Sequence, residues 1–149
     1  MRVVLDTNVL YQALRDQAGA SYYIFQLIRT QQIELALSVP VFLEYQEVLL
    51  RPATLIDLGR SSPEIEAFLR FIAYIAKPIS IHFLMRPHLS DERDNKFVEL
   101  AFASNSPFLI TSNIRHFSRK TELKFDSFEV VPPSQFVQTW RRQHGKQKE

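Results

Sequence analysis

The alternation of short apolar runs with longer helical patterns constrains the fold of this chain more than any other feature. The runs with strand character are "RVVLD", "IELALS", "ISIHFL", "PFLITS" and "FEVVP". The first lacks the apolar–polar alternation of a half-exposed strand, so it suits a sheet that is covered on both faces. Strands that alternate with helices predict a mostly parallel sheet. We therefore expect an α/β fold of three layers, α/β/α, with a central sheet of four to five strands.

Helical patterns fill the intervals between these runs. They cover residues 7–16, 20–32, 40–51, 61–77, 90–105 and 133–143. The clearest start is "SSPEIE", which offers a Ser cap, an early Pro and acidic residues in the first turn. Pro78 is expected to end that helix, and Pro52 either closes the preceding one or begins a short helix through "ATLIDLG". No segment has the composition of a linker, so we predict a single domain over residues 1–140 and a basic tail over residues 141–149.

Composition removes several classes of function. The chain has 149 residues and no Cys, which excludes disulfides and thiolate zinc sites and fits a cytoplasmic protein. No apolar run approaches the roughly 20 residues needed to cross a bilayer, so no membrane partner is expected. With 3 Gly the chain lacks a phosphate-cradling loop of the P-loop type. The net charge is only +2, but the pI of about 9.0 and the ending "WRRQHGKQKE" permit a phosphate-rich partner.

Polar residues follow four of the predicted strands or begin the helices after them. In chain order these groups are Asp6; Glu44; the acids Asp91, Glu92 and Asp94; and the trio Thr111, Ser112 and Asn113. Ligands of open parallel sheets bind beyond the carboxyl ends of the strands. We therefore expect all four groups to meet at one rim of the sheet.

Acids that converge in this way favour a metal ion. Carboxylates close together repel one another unless they are protonated or neutralised by a cation. Hard oxygen ligands without Cys or paired His suit Mg²⁺ or Mn²⁺ better than zinc. Such an ion activates water and stabilises charge on phosphoryl oxygens, and two ions roughly 4 Å apart would clamp both the attacking and leaving oxygens. The pattern therefore points to phosphodiester hydrolysis.

Each polar residue also has a purely structural interpretation, and from the residues alone these alternatives stay open. Asp6 could be a helix N-cap, and Glu44 could be a structural Glu satisfied by its neighbours. The acids of "DERD" are favoured near a helix N-terminus by the helix dipole. Asn113 could be a turn residue. What favours a site is the joint placement, each group following a different strand.

Four segments resemble the motifs of PIN-domain ribonucleases, in particular the toxin components of bacterial and archaeal toxin–antitoxin systems. They are "VVLDTNVL", "PVFLEYQEVLLRP", "DERDNKFVELAFAS" and "FLITSNIRHF", and the resemblance extends from about Met1 to Phe117. It implies a PIN-like sheet between helices and an endoribonuclease that uses Mg²⁺ or Mn²⁺ and metal-activated water. It also implies an RNA substrate, a cognate antitoxin protein that blocks the site, and a homodimer.

The resemblance assigns roles to individual residues. Asp6, Glu44 and Asp94 match the catalytic, metal-binding acids of the family. Many members carry Asp at the fourth position, whereas here Asn113 could still ligate a cation but brings no charge and cannot act as a base. Further assignments are Asp91 and Asn113 as additional metal ligands; Thr7, Asn8, Thr111 and Ser112 as supporting polar residues; and Arg93, Lys96, Arg115 and His116 as RNA contacts.

Two alternatives to an active nuclease follow from the same residues. Because of Asn113, a catalytically silent PIN domain that binds RNA or a partner protein is the main one. A haloacid dehalogenase-like phosphatase is the other, since it also begins with an Asp after the first strand. That chemistry usually needs a second Asp two positions later, where Asn8 stands, and an acidic pair after Asn113 that the sequence lacks.

Overall fold

Five short parallel strands form the centre of the fold in a computed structural model, which describes residues 1–81, 92–118 and 127–145 (for 92–94 and 118 the backbone alone). In chain order they are β1 (Arg2–Leu5), β2 (Glu34–Leu37), β3 (Lys77–Pro78), β4 (Phe108–Ile110) and β5 (Glu129–Val131). Their order across the sheet is β3-β2-β1-β4-β5, and every neighbouring pair is parallel. The predicted α/β sheet is confirmed, with "FEVVP" supplying the edge strand β5.

Eight helices surround the sheet within the described ranges. They are α1 (Thr7–Arg15), α2 (Ala20–Arg29), α3 (Val39–Leu49), α4 (Pro52–Leu58), α5 (Ser62–Ile75), α6 (Glu92–Ser104), α7 (Ile114–Ser118) and α8 (Pro133–His144). Pro52 begins a short helix, which is one of the two alternatives predicted for it. The prediction that α2 reaches residue 32 is wrong, because Gln31 adopts a positive φ of 62° that a helix cannot continue. α7 was not predicted.

Local capping explains where several helices start. Ser61 Oγ accepts a hydrogen bond from Glu64 N at 3.3 Å, and Glu64 Oε1 accepts one from Ser61 N at 3.1 Å. This reciprocal pair is a capping box, and it begins α5 at the predicted place. Ser38 caps α3 in a similar way through its hydroxyl oxygen, which accepts from Val41 N at 3.3 Å.

The third strand lies earlier than predicted. We expected it at residues 79–84, whereas β3 is Lys77–Pro78, with Pro78 inside the strand and α5 ending at Ile75. Lys77 is aligned with Ala36 of β2, and Ile79 N donates to Leu37 O at 2.8 Å. Proline is tolerated there because β3 is an edge strand, where a missing N–H costs no ladder bond. Residues 82–84 of the expected strand lie outside the described residues.

The central strand is buried on both faces. Val3, Val4 and Leu5 are at most 1% exposed, and successive residues of a strand point to opposite faces of the sheet. Helices must therefore cover both faces, which confirms the three-layer arrangement. α1 and α6 both pack against β1.

None of the helices within the described ranges is both long and apolar enough to cross a bilayer.

Candidate active site

The candidate site lies where the direction of strand addition reverses. β2 and β3 follow β1 on one side, whereas β4 and β5 lie on the other. In parallel α/β sheets such a switch point opens a crevice at the carboxyl ends of the two central strands. Leu5 is aligned with Ile110, and Asp6 N donates to Ile110 O at 2.9 Å. Asp6 and Thr111 therefore leave the sheet side by side.

The Asp6 side chain makes hydrogen bonds at this crevice and does not cap α1. The Asp6 backbone occupies the N-cap position of α1, but its carboxylate makes no capping hydrogen bond. Asp6 Oδ2 accepts instead from Thr111 Oγ1 at 2.7 Å and from Asn8 Nδ2 at 3.1 Å. The residue is 8% exposed. The N-cap interpretation therefore does not explain this side chain.

Thr111 and Asn8 also hold the loop that follows β4. Thr111 Oγ1 accepts from the backbone N–H of Asn113 at 3.0 Å, and Asn8 Oδ1 accepts from that of Ser112 at 3.2 Å. Asn8 and Thr111 were predicted as supporting residues, and the structure brings both to Asp6, with Ser112 and Asn113 joining through main-chain amides. Thr7 was predicted with them, but within the described ranges its buried Oγ1 has no hydrogen-bond partner.

Burial makes the Asp6 carboxylate electrostatically unfavourable. Desolvation is the largest cause that raises the pKa of Asp6 above its ordinary value, and the negative charge of Glu44 raises it further. Hydrogen bonds from Thr111 and from the Thr7 backbone oppose this effect, as does the nearby His116. A cation placed beside Asp6 would remove the penalty of holding a buried negative charge.

Glu44 lies close enough to Asp6 for this effect and is paired with a lysine. Glu44 Oε1 is 3.0 Å from Lys96 Nζ, and the two side chains are 11% and 25% exposed. The pair connects α3 to α6. Lys96 was predicted as an RNA contact, and its ion pair with Glu44 was missed because no local pattern links residues 52 positions apart.

The backbone places the start of α6 at the same edge of the sheet as Asp6, where the strands have their carboxyl ends. Ser104, the last residue of α6, accepts a hydrogen bond through its backbone oxygen from Arg2 Nη1 at 3.2 Å, at the amino end of β1. The first turn of α6 lies roughly 18 Å away along the helix axis, toward the carboxyl ends. Asp94 belongs to that turn, but its side chain and that of Arg93 lie outside the described residues, as does all of Asp91.

Comparison with known proteins assigns the family. A model of the PIN domain family matches residues 2–115, which is more than half of the chain. The chain belongs to the PIN domain family. The resemblance inferred from the four motifs is confirmed at this level, and membership of this family decides against the haloacid dehalogenase-like alternative.

A solved structure supports the same fold for this PIN domain. The chain is similar to one in the crystal structure of VapBC2 from Rickettsia felis bound to a DNA fragment from their promoter. The TM-score is 0.55 at 18% sequence identity, and the match covers 89% of this chain and 98% of the other. At this identity the likeness bears on the fold alone. Nothing among the curated proteins matches the chain.

The donor atoms of this PIN domain fit a hard divalent cation. They include a buried carboxylate whose pKa is raised, a second carboxylate close to it, and amide and hydroxyl oxygens, with no thiolate anywhere in the chain. Glu44 already attracts one positive group, the Lys96 ammonium. Among the side chains that the structure describes, no three Asp, Glu, His or Cys residues are grouped as a metal site, so a complete ligand set requires a residue such as Asp94.

The rim next to Asp6 is open and carries basic residues. Ser112, Asn113 and the first residues of α7 line a cleft of about 540 Å³. Arg115 and His116 lie on α7 and are exposed. Both were predicted as RNA contacts, and their position at the carboxyl edge is suitable for phosphate groups of a bound strand.

Proposed function

We propose that this PIN domain is a metal-dependent endoribonuclease that hydrolyses RNA phosphodiester bonds with Mg²⁺ or Mn²⁺. One observation carries the proposal: Asp6 is buried at the switch point of the sheet, oriented by Thr111 and Asn8, next to Glu44. A carboxylate with these surroundings gains most from a bound cation.

Asp6, Glu44 and Asp94 would hold the cation, with Asp91 and Asn113 as additional ligands. When bound, the cation supplies Lewis acidity, which activates water and stabilises charge on the phosphoryl oxygens. Thr111 and Asn8 keep the Asp6 carboxylate in one orientation through their hydrogen bonds. Arg115 and His116 would bind phosphates beside the cleaved bond, and Arg93 belongs to the same proposed set.

The biological setting that we infer is a type II toxin–antitoxin pair, with this chain as the toxin in the cytoplasm. The motif resemblance supports it, and so does the likeness to a VapBC2 assembly bound to promoter DNA. A cognate antitoxin protein would then cover the catalytic rim, and the toxin would form a homodimer. A small antitoxin-like reading frame next to the gene is the expected finding, and an isolated gene would contradict this role.

Cleavage of RNA by the purified protein tests the enzymatic proposal. Wild type should degrade single-stranded RNA with Mn²⁺ and lose this activity in EDTA. The Asp6→Asn and Asp94→Asn variants should be inactive, because each loses a negative charge from the cation site. Glu66→Gln is the matched control, since Glu66 is an exposed acid on α5. RNA left intact by wild type across varied sequences would refute the nuclease, and binding without cleavage would favour the silent PIN domain.

A further inference from the structure

A continuous groove leads away from the catalytic rim between α2 and α8. Four adjoining clefts form it. The cleft beside Asn113 shares Ser112 with the next, which in turn shares Gly19, Ala20 and Ser134 with a third of about 430 Å³. The third shares Tyr23, Gln26 and Arg141 with a fourth of about 600 Å³. We call this path the α2–α8 groove.

The groove follows one face of each helix. On α2 and its C-cap the lining residues recur at helical spacing, as Tyr23, Gln26 and Thr30 do. On α8 it runs from Ser134 through Arg141 to His144. Since α8 has 12 residues, its length is roughly 18 Å. A stacked strand rises about 3.4 Å per nucleotide, so this length matches roughly five nucleotides.

Planar groups in the groove are stacked in two pairs. The Arg141 guanidinium carbon lies 4.7 Å from the centre of the Tyr23 ring. One turn further along α8, the ring centres of His144 and Trp140 are 3.6 Å apart with planes inclined by 16°. Arginine and aromatic planes are the surfaces on which unpaired bases stack in single-strand binding sites.

Gln26 adds an unused hydrogen-bonding atom at the middle of the groove. Its Nε2 donates to the Tyr22 hydroxyl at 2.6 Å, but its buried Oε1 has no hydrogen-bond partner among the residues that the structure describes. A buried acceptor without a donor is costly. Gln26 lines both of the adjoining clefts, so a rotation of its side chain on RNA binding would bring this acceptor to an amino or imino group of a base.

The scarcity of acids along the described part of the groove favours a nucleic acid over a protein. Among the described residues that line its four clefts, Asp16 is the one acid, and it lies near the catalytic end. The large apolar side chains that the structure shows exposed on helices lie elsewhere, namely Val39, Leu43, Ile56 and Tyr74 on α3, α4 and α5. An apolar partner would find its contacts there rather than between α2 and α8.

We propose that the α2–α8 groove binds the single-stranded RNA that flanks the cleaved bond, with Arg141 as a stacking platform. This rests on the proposed ribonuclease function and adds a substrate path to it. It also gives the start of the basic tail a role, because Arg141 lies on α8 and the chain continues after Gly145 with Lys146 and Lys148.

Binding of a short fluorescein-labelled single-stranded RNA, measured by anisotropy, tests the groove separately from catalysis. The experiment uses the full-length Asp6→Asn protein, in which cleavage cannot consume the probe. Adding Arg141→Ala should weaken binding about tenfold. Arg141→Lys should restore little of this loss, because Lys keeps the charge but not the planar surface.

Arg142→Ala is the matched control, since Arg142 is an exposed arginine next to Arg141 that does not line the clefts. Equal losses in the two Ala variants, or none in either, would overturn the proposal. The proposal would also be overturned if Arg141→Ala changed the oligomeric state, measured by analytical ultracentrifugation, and left the RNA affinity unchanged. Groove variants that bind and cut RNA like wild type would refute the groove and leave the nuclease standing. RNA binding that depends on Arg141 in a protein that never cleaves would support the groove and refute the nuclease.

Discussion

The hydroxyl group of Thr111 joins two parts of the candidate site. It donates to the Asp6 carboxylate at 2.7 Å and accepts from the backbone of Asn113 at 3.0 Å. Thr111 is fully buried, so water cannot replace either bond. The orientation of the carboxylate and the path of the loop after β4 therefore depend on the same oxygen atom.

Replacing Thr111 by Val keeps the shape of the side chain and removes both bonds. We expect the free energy of unfolding to fall by about 1–2 kcal/mol and RNA cleavage to fall roughly tenfold or more. Urea unfolding and single-turnover cleavage measure the two effects. Thr54→Val is the control, because the Thr54 hydroxyl also donates a partly buried bond, to Val48 O at 2.8 Å, away from the site. Equal loss of activity in both variants would show that stability alone limits cleavage.

Titration of Asp6 should make the metal-free protein less stable as the pH rises. Burial and Glu44 raise the folded-state pKa of Asp6 above its unfolded value of about 3.9. Between these two pKa values the folded state binds more protons than the unfolded state, so stability falls with increasing pH. Asp6→Asn carries no such charge, and in EDTA it should therefore unfold at higher temperature than wild type at pH 7. The two proteins should converge near pH 3.

Thermal unfolding across this pH range in EDTA measures the difference. Adding Mn²⁺ at pH 7 should stabilise wild type, because a ligand that binds only the folded state raises its stability, and should leave Asp6→Asn unchanged. If Asp6→Asn is less stable than wild type at pH 7 in EDTA, the carboxylate is not under the electrostatic penalty described for it.

At the scale of elements, the ion pair between Glu44 and Lys96 connects α3 to α6. Both side chains are largely shielded from water. In contrast, the ion pair between Glu47 of α3 and Arg51, two residues after that helix, is exposed. Breaking a shielded pair leaves a charge uncompensated, whereas exposed pairs contribute little. The position of Glu44 relative to Asp6 therefore depends on a residue of another helix.

Lys96→Met should destabilise the metal-free protein by about 1–3 kcal/mol, since it leaves the Glu44 charge facing Asp6. The cation should then compensate, so Mn²⁺ should raise the unfolding temperature more in Lys96→Met than in wild type. Arg51→Met is the control and should cost less than about 1 kcal/mol, with the normal response to Mn²⁺. An equal gain from Mn²⁺ in wild type and Lys96→Met would mean that Lys96 does not compete with the metal for Glu44.

Which elements the sequence predicts depends on how local their signals are. β1, β2, β4 and β5 are apolar runs, so their existence follows from burial in a covered sheet. β3 has no such pattern, because Lys77 and Pro78 are strand residues only through pairing with β2. α7 spans 5 residues, which is too short for helical periodicity.

Some contacts of the candidate site can likewise be predicted from the sequence, whereas others depend on the packing of the whole fold. The meeting of Asp6 with Thr111 follows from a general rule, since both residues follow the carboxyl ends of parallel strands. The pairing of Lys96 with Glu44 depends on how α3 and α6 are rotated against each other, which side-chain packing decides over the whole fold. The α2–α8 groove likewise needs two helices from opposite ends of the chain, so no local sequence pattern reveals it.

At the scale of the whole molecule, the modest net charge of +2 limits how RNA can be bound. A protein that wraps RNA in a broad cationic surface shows a steep dependence of affinity on salt, because each neutralised phosphate releases counterions. Within the part of the chain that the structure describes, the proposed path offers few cations, chiefly Arg115 at the rim and Arg141 in the groove. Stacking and hydrogen bonds must then supply much of the affinity, and these depend little on salt.

The salt dependence of RNA affinity should therefore be shallow. The proposed phosphate contacts Arg93 and Arg115 predict a slope of about −1.4 in a plot of log K against log salt concentration for single strands. Arg115→Ala should reduce its magnitude by about 0.7, whereas Arg141→Ala should weaken binding with little change in slope, because Arg141 stacks on a base. Anisotropy titrations of the Asp6→Asn protein across a range of KCl concentrations measure both slopes, with Arg142→Ala as the control that should leave the slope unchanged. A slope steeper than about −3 would require more cations than the rim and the groove present. Binding would then reside in the basic tail and the general surface charge rather than in a path beside the catalytic acids.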